Sequence, residues 1–407
     1  MDQVRKEFPI FKAGLASIYL DSAATSQKPK QVIDRMSQFL QEEYGTVHRA
    51  VYRLAAQATS QYNEVRELVR EFLGVKEDGE VVFTRGTTDG INLVAASFGK
   101  AFLEEGDEIL ISETEHHSNI VPWQMICQER KAVLKVFPVN DLGEVLVDEY
   151  KKLLSPKTKL VAIAHISNAT GVIHPIKKII SLAHEQGAKV LVDAAQSISH
   201  KVICVKDLDV DFLVFSGHKA YGPTGIGILY GKKALLDQMP PYQGGGDMVH
   251  QVTFEKTTYQ PIPLKFEAGT PSIVEVIGLG EAIKFMQRVG LDKIEAFEKV
   301  LTEYAFSKMK NIEGLIFLAH SKDRYYENRS SILTFYFKDV HSLDVGTLLD
   351  VKGVSVRTGH LCAQPALKRF GLRSAIRVSF ALYNTLEEVD LFVKALEEVI
   401  LLVGNEA

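Results

Sequence analysis

The stretch VDFLVFSGHKAYGPTGIGILYG, Val210 to Gly231, decides how this chain folds. Its residues 212–215 form an apolar run with the composition of a buried strand, and a second apolar run begins at Ile226. Lys219 lies between the two runs, so we expect it in a loop between buried strands. A lysine there can form a Schiff base with a cofactor carbonyl if its ammonium is deprotonated, although most lysines at strand ends are simply solvated.

A carboxylate earlier in the chain favours the chemical interpretation of this lysine. Asp193 ends another apolar run, in the sequence LVDAAQ. A pyridoxal phosphate enzyme needs a carboxylate at the pyridinium nitrogen, because the protonated ring accepts electrons. Gln196 has an amide that can donate to the phenolate oxygen of that ring. Alone, Asp193 would be interpreted as a helix cap after a strand; together with Lys219 it predicts a site for pyridoxal phosphate.

Five motifs follow one another along the chain: GTTDGIN, SETEHHSNIVPW, VDAAQS, SGHKAYGPTGIGILYG and RTGHLCAQP. In this order they resemble the pyridoxal phosphate-dependent cysteine desulfurases of the class V aminotransferase family. The last motif resembles group II of these enzymes, the SufS-like and selenocysteine lyase-like desulfurases. The resemblance extends from Tyr19 to Thr385. It implies the fold of the pyridoxal phosphate-dependent transferases of fold type I.

The pattern of apolar segments independently predicts an α/β fold. Helical segments separate the predicted strands, which are Ile109–Ser112, Val133–Val136, Leu160–His165, Val190–Asp193 and Phe212–Phe215. Such alternation is typical of a mostly parallel sheet with helices on both faces, with ligands at the carboxyl ends of its strands. The 407 residues favour two domains. We expect a large pyridoxal phosphate-binding domain over 21–270, a hairpin over 252–266, and a smaller α+β domain formed by 1–20 and 271–407.

Candidate cofactor contacts follow these strands. Thr87 and Thr88, after Gly86, begin a predicted helix, and two hydroxyls with free N–H groups at a helix start suit a phosphate; Thr88 equally suits a simple N-cap. His116 can stack on the pyridine ring, but spacing alone does not choose between it and His117; the resemblance selects His116. Asn168 is placed to hold the phenolate or a substrate carboxylate. The remaining candidates are Ser216 and His218.

Cys362 is the candidate nucleophile. Cys127, Cys204 and Cys362 are too few and too scattered for a disulfide framework or a metal cluster, so we expect no metal site. Cys362 lies in a loop bounded by glycine and proline, with an arginine and a histidine close by, where a thiol can be activated. Most lone cysteines are inert, and it is the resemblance that implies the nucleophile. Thr358 and Leu361 depart from the commoner loop of the family, which has an alanine and often a second histidine there.

Two arginines and two loop residues are candidates for binding substrate or cofactor. Arg377 interrupts an apolar run, where a guanidinium suits an α-carboxylate; a structural ion pair is the alternative. Arg357 is expected to orient the thiol loop or the substrate. His48 lies in a loop that is either a solvated connection or an approach to the site. Thr270 reads as a turn, but the resemblance implies that it reaches the phosphate of a neighbouring subunit in a homodimer.

The resemblance implies a reaction as well. L-cysteine is the substrate, Lys219 removes its Cα proton, and Cys362 accepts its sulfur as a persulfide while L-alanine is released. His116 would carry a proton, because the ordinary pKa of histidine is near neutral. An acceptor protein of iron–sulfur cluster assembly would receive the sulfur. The nearest alternative is a selenocysteine lyase acting on L-selenocysteine. An ordinary aminotransferase would have no use for Cys362. A catalytically idle scaffold that only docks assembly partners would need none of Lys219, Asp193 and Cys362.

Composition restricts the partners. A net charge of −4 without a long basic run argues against nucleic acid as a partner. No apolar segment approaches the length of a membrane span, and the first residues lack the apolar core of a signal peptide. We therefore expect a cytoplasmic protein without a membrane partner.

Overall fold

A computed structural model describes residues 1–12, 18–321 and 328–404, so that 13–17, 322–327 and 405–407 of the predicted smaller domain lie outside the described residues. The strands of the described part are β1 Ile18–Tyr19, β2 Gly79–Thr84, β3 Glu108–Ser112, β4 Val133–Phe137, β5 Thr158–Ala164, β6 Lys189–Asp193, β7 Phe212–Ser216, β8 Gly227–Lys232, β9 Val249–Val252, β10 Thr257–Tyr259, β11 Leu315–Phe317, β12 Ile332–Phe337, β13 Val354–Ser355, β14 Arg357–Gly359 and β15 Ala375–Ser379. Its α-helices are α1 Asp2–Arg5, α2 Lys30–Gln38, α3 Arg53–Leu73, α4 Thr87–Phe102, α5 Val121–Arg130, α6 Val147–Leu153, α7 Ile176–Glu185, α8 Val205–Leu208, α9 Lys233–Gln238, α10 Ile273–Val289, α11 Leu291–Met309, α12 Ser342–Val351, α13 Gln364–Arg369 and α14 Leu386–Gly404. None of these helices is long and apolar enough to span a membrane.

The large sheet has seven strands in the order β2-β8-β7-β6-β5-β3-β4. All neighbouring strands are parallel except β8, which runs antiparallel to both β2 and β7. The carboxyl ends of β3, β5, β6 and β7 therefore share one edge. The predicted α/β fold with a mostly parallel sheet is confirmed.

The central strands are apolar throughout because helices cover both faces of the sheet. In β7, Leu213 and Phe215 point into one core, which α3, α7 and α10 close, while Phe212 and Val214 point into the other, which α4, α5 and α9 close. Side chains alternate between the faces of a strand, so a strand covered on both sides needs an unbroken apolar run. The run in the sequence therefore marks the centre of the sheet.

A second sheet lies in the last third of the chain. Its strands have the order β11-β12-β15-β14 and are antiparallel. The N-terminal strand β1 pairs in parallel with β13 and so joins this part of the molecule. Helix α10 packs in a core of the large sheet, whereas Leu301 and Phe306 of α11 pack in the core of the second sheet. The domain boundary at residue 270 stays a prediction.

The predicted hairpin over 252–266 is wrong in its position. The antiparallel pair is β9 with β10, and it ends at Tyr259. Beyond it, Pro261 and Pro263 lack the N–H groups that a ladder requires, and residues 264–266 form a short 3₁₀ turn instead.

Candidate active site

A cavity of about 440 Å³ opens at the carboxyl edge of the large sheet, beneath the loop that follows β14. Of the predicted site residues it is lined by Thr87, Thr88, His116, Asn168, Asp193, Gln196, Ser216, His218, Lys219, Arg357, Cys362 and Arg377. His48 and Thr270 do not line it. A larger groove of about 730 Å³, between α2, α3 and α10, contains none of the predicted residues.

Lys219 is held by a rigid turn. It ends a 3₁₀ turn after β7, and Gly217 starts that turn because a Cβ there would overlap Ile226. The carbonyl of His218 accepts hydrogen bonds from the Ser26 N–H (3.1 Å) and from the Lys28 ammonium (2.9 Å). The backbone beside Lys219 is thus fixed before any ligand binds, and Lys28 is a contributor that the sequence did not reveal.

The electrostatics of Lys219 favour a reactive amine. Loss of hydration lowers the pKa of Lys219 to about 8, although the Asp193 carboxylate works in the opposite direction. Burial raises the pKa of Asp193, and the neighbouring Lys219 ammonium partly offsets that rise. The two groups therefore stabilise each other's charged forms across the cavity, but incompletely.

The Asp193 carboxylate has one oxygen available. Its Oδ1 accepts the Ala195 N–H at 2.9 Å, and no group in the described ranges donates to Oδ2. Gln196 donates one amide hydrogen to the Ala23 carbonyl at 2.8 Å, which leaves the second amide hydrogen. The cavity therefore offers an acceptor and a donor to a polar ligand.

The opposite end of the cavity consists of hydroxyl groups at the start of α4. Ser216 accepts the Thr87 N–H at 2.8 Å, and its hydroxyl contacts that of Thr87 at the same distance. Thr88 and Ser118 share a hydroxyl hydrogen bond of 2.6 Å. The positive end of the helix dipole adds to these donors, so this end of the cavity suits an anion.

The protonation state of His116 differs from the one expected from the sequence. Burial and the Lys219 ammonium lower the pKa of His116 to about 3, so the ring is neutral at working pH, and the argument from a near-neutral pKa was wrong. Nδ1 accepts the Ser118 N–H at 3.0 Å, which leaves the proton on Nε2. Behind it lies Glu115, which the sequence did not reveal. Burial raises the pKa of Glu115 to about 7, and the Ala164 N–H and Asn119 amide bind its carboxylate.

Asp21 connects the two arginines and was not among the predicted site residues. Its carboxylate contacts Arg377 at 3.3 Å and Arg357 at 2.7 Å. Arg377 is buried and also donates to the carbonyl of Asn168 at 2.9 Å, while its Nε has no partner among the described residues. The motif YLDSAA contains Asp21, but only the fold brings it beside β14 and β15.

Cys362 is exposed at the mouth of the cavity. Leu361 and Cys362 both have positive φ, 55° and 51°, which turns the loop back on itself. Leu361, which departs from the family pattern, is buried against Ala169 and Ala363 and anchors the loop. The Asn168 amide donates to the Leu361 carbonyl at 2.7 Å.

His117 and His360 lie close to Cys362 and to each other, an arrangement that the sequence did not reveal. The His117 N–H donates to the Cys362 carbonyl at 2.8 Å, and the Cys362 N–H donates to His360 Nδ1 at 3.0 Å. Cysteine spacing could not signal this cluster, since only one of its members is a cysteine.

Thr270 and His48 lie in another region of the surface. Thr270 is exposed beside a second cavity of about 260 Å³, and Glu267 in the same segment forms a bidentate buried ion pair with Arg66 at 2.7 and 2.8 Å. His48 packs against Tyr62, which lines that second cavity. Neither residue reaches the main cavity within one chain.

A mostly parallel sheet with a lysine, a buried carboxylate and a helix N-terminus at its carboxyl edge is typical of the pyridoxal phosphate-dependent proteins of fold type I. The family model for aminotransferase class-V matches residues 18–392. The chain belongs to the class-V aminotransferase family.

Individual relatives have more specific names. A "probable cysteine desulfurase" of Mycolicibacterium paratuberculosis is 48% identical over 399 residues, which cover 97% of this chain and 58% of that protein. A "cysteine desulfurase" of Shigella sonnei is 45% identical over 408 residues, 99% of each chain. The crystal structure of the cysteine desulfurase CsdA from Escherichia coli has a TM-score of 0.91 at 39% identity and covers 98% of each chain. This chain spans 58%, 63% and 64% of the length of three relatives.

Proposed function

We propose that the chain is a pyridoxal phosphate-dependent cysteine desulfurase that converts L-cysteine to L-alanine and a persulfide on Cys362. The observation that carries the proposal is that an exposed cysteine shares one cavity with Lys219 and Asp193. An aminotransferase would need the lysine and the carboxylate but not the thiol. The names of the relatives support the same activity.

The cavity fits pyridoxal phosphate. The free oxygen of Asp193 suits the proton of a pyridinium nitrogen, and the hydroxyls of Thr87, Thr88 and Ser216 suit the phosphate. His116 would stack on the ring, while Gln196 would donate to its phenolate oxygen. His218 would pack beside the cofactor at the position next to Lys219. When bound, the cofactor supplies a carbonyl that joins amines and a ring that takes up the electrons left at Cα.

The residues around the cavity would have separate roles in substrate binding and proton transfer. Arg377, with Asn168, would bind the α-carboxylate, and Arg357 would orient the thiol loop. Lys219, as a neutral amine, would remove the Cα proton. His116 would orient the substrate thiol by donating a hydrogen bond from Nε2, since its Nδ1 already accepts the Ser118 N–H.

After the Cα proton has been removed, sulfur transfer exchanges bonds among two sulfur atoms and one carbon. The Cys362 thiolate attacks the sulfur of L-cysteine, and an S–S bond forms as the Cβ–S bond breaks. The electron pair of the broken bond stays with carbon, which takes up a proton and becomes the methyl group of L-alanine. Because Cys362 is exposed, its persulfide would be accessible to an acceptor protein, which we propose to serve iron–sulfur cluster assembly.

We also propose a homodimer. Val51 and Phe254 are fully exposed apolar side chains, an unusual state for a solvated surface. They lie in neighbouring segments, since Arg49 contacts Asp247 at 2.9 Å. A second copy covering this region would bury both side chains. It would also bring Thr270 and His48 towards the partner's cavity.

Alanine formation tests the activity. Protein loaded with pyridoxal phosphate is supplied with L-cysteine, L-selenocysteine, or an amino acid with a keto acid, and the products are quantified. We expect alanine and enzyme-bound sulfur from L-cysteine. Turnover restricted to L-selenocysteine would favour the lyase, and amino transfer to the keto acid would favour an aminotransferase. No turnover and no visible absorbance would favour a scaffold.

A further inference from the structure

We propose that His117, His360 and Cys362 form a binding site for Zn²⁺ and that zinc bound there withdraws the Cys362 thiolate from sulfur transfer. One nitrogen or sulfur atom of each residue lies within 4.8 Å of the other two. The binding of zinc is independent of the proposed function; only its effect on turnover rests on that function.

The three side chains are brought together by the backbone rather than by an ion. His117 comes from the turn after β3, whereas His360 and Cys362 come from the loop after β14. The two segments are joined by the His117 N–H bond to the Cys362 carbonyl and by the Gln364 N–H bond to His117 Nε2 at 3.0 Å. The donor atoms are therefore close before a metal arrives.

The donor set selects a borderline-soft cation. Two imidazoles and one thiolate are ligands of Zn²⁺, and the cluster contains no carboxylate to attract Mg²⁺ or Ca²⁺. In a tetrahedral zinc site neighbouring ligand atoms are about 3.5 Å apart, so the cluster must contract by about 1 Å. His360 and Cys362 are exposed, and rotation of their side chains supplies that movement.

Binding exchanges two amide hydrogen bonds for metal bonds. His117 Nε2 and His360 Nδ1 each accept a backbone N–H, from Gln364 and Cys362 respectively. Each ring must offer one lone pair to the metal and keep its proton on the other nitrogen, so each amide bond is lost. A single neutral hydrogen bond contributes little beside a zinc–ligand bond. The Cys362 thiol releases its proton to water, and no oxidant is needed.

The resulting site would have an open position. Three protein ligands leave the fourth zinc position to water or to a donor from another molecule. A sulfur atom that coordinates zinc gives a lone pair to the metal and is held at the mouth of the cavity, so it attacks the substrate sulfur more slowly and zinc would inhibit reversibly. His117 does not line the cofactor cavity, which places the ion at the mouth of the cavity, where it would not compete with the cofactor.

Zinc binding is measured on the full chain loaded with pyridoxal phosphate, by competition with a zinc-indicator dye and without L-cysteine. We expect one Zn²⁺ per chain, with an affinity that falls by about tenfold or more in His117→Ala and in His360→Ala. His117→Gln, which keeps an acceptor for the Gln364 amide, should weaken binding equally. His250→Ala, which changes an exposed histidine elsewhere, should bind as wild type does. Absence of binding, or equal affinity in all variants, would overturn the proposal.

A second measurement compares how strongly zinc inhibits alanine formation by wild type and by the variants. The rate of each protein is expressed relative to its own rate without zinc. Half-inhibition of His117→Ala should need about tenfold more zinc than that of wild type. Identical inhibition curves would contradict the site. If the protein does not turn over L-cysteine, the dye competition still decides whether zinc binds, so failure of the desulfurase proposal is recognised separately.

Discussion

Lys219 has a fixed backbone, and the charged form of its side chain is only weakly stabilised. Its ammonium is poorly hydrated, and Asp193, the carboxylate that favours it most, is itself destabilised by burial. The pKa of about 8 follows from this balance. A lysine with that pKa is neutral in about a tenth of the molecules at pH 7, whereas an ordinary lysine is almost never neutral there.

The rate at which cofactor-free protein captures pyridoxal phosphate should therefore follow the neutral amine of Lys219. Because burial lowers the pKa, the rate should rise with pH up to about pH 8 and then level off. Stopped-flow absorbance between about pH 6 and pH 10 measures it. Asp193→Asn, which removes the charge that raises this pKa, should level off at lower pH. A rate that keeps rising beyond pH 10 would mean that Lys219 has an ordinary pKa.

Among single residues, the sequence indicated which side chains share one cavity but not which of them are charged. Lys219 and Asp193 were indicated by their places after apolar runs, whereas Cys362 was indicated by the resemblance of its loop. The neutral state of His116 was not, since it depends on burial and on Lys219, which are properties of the folded site. Glu115 was missed for the same reason: nothing beside it in the sequence signals a fully buried carboxyl.

Strands β1, β14 and β15 meet at a shared carboxylate. Asp21, just after β1, pairs with Arg357 of β14 and Arg377 of β15. Arg377 is buried, so loss of the Asp21 charge would leave a guanidinium without its counter-ion.

Asp21→Asn should accordingly lower the free energy of unfolding by about 2–4 kcal/mol. Denaturant unfolding measures the difference. Asp141→Asn is the matched control, because Asp141 pairs with Arg369 on the surface and its loss should change stability by less than about 1 kcal/mol. Equal effects of the two variants would show that the Asp21 pairing contributes no more than a surface ion pair.

Helix α12 is fitted to the strand that leads to the thiol loop. A Cβ at Gly346 would overlap the methyl group of Thr358, one of the residues that depart from the family pattern. The absence of a side chain at Gly346 therefore makes room for the methyl group of Thr358 on β14.

Gly346→Ala should lower the free energy of unfolding by about 1–3 kcal/mol, because the added methyl group overpacks this contact. Gly346→Ala combined with Thr358→Ala should regain most of that loss, since the second change removes the overlapping methyl group. Thermal unfolding of the two single variants and the double variant forms a mutant cycle. Additive effects would contradict the fit.

Strands and helices could be predicted where the pattern of apolar residues within a short segment determines its structure. The β7 run predicted a central strand because both of its faces are apolar. The hairpin was displaced because the β-formers after Tyr259 are interrupted by Pro261 and Pro263, whose missing N–H groups outweigh side-chain propensity. The junction at Asp21 joins segments more than 300 residues apart in sequence, which no local pattern can reveal.

The whole molecule is incomplete as a single chain if Thr270 acts as proposed. Thr270 lies outside the main cavity of its own chain, and the exposed Phe254 and Val51 offer a surface for a second copy. In a dimer with twofold symmetry each site would take Lys219 from one subunit and Thr270 from the other.

Subunit mixing tests this arrangement. Lys219→Ala and Thr270→Asp, whose carboxylate would repel a phosphate, should each be inactive alone. After denaturation and joint refolding, half of the dimers are mixed, and one of their two sites contains both native residues. About a quarter of the wild-type rate of alanine formation should return. If mixed dimers form but the rate of alanine formation does not recover, Thr270 acts in the site of its own subunit or has no part in either site.

Transfer of sulfur from L-cysteine to Cys362 distinguishes the proposed desulfurase from an aminotransferase. Its most direct measurement is peptide mass spectrometry of the cofactor-loaded protein after brief reaction with L-cysteine, which reports separately on Cys127, Cys204 and Cys362. We expect the mass of one added sulfur atom on the peptide that contains Cys362, and no such addition in Cys362→Ala. An added sulfur on Cys127 or Cys204 instead, or alanine formed at the wild-type rate by Cys362→Ala, would contradict the account.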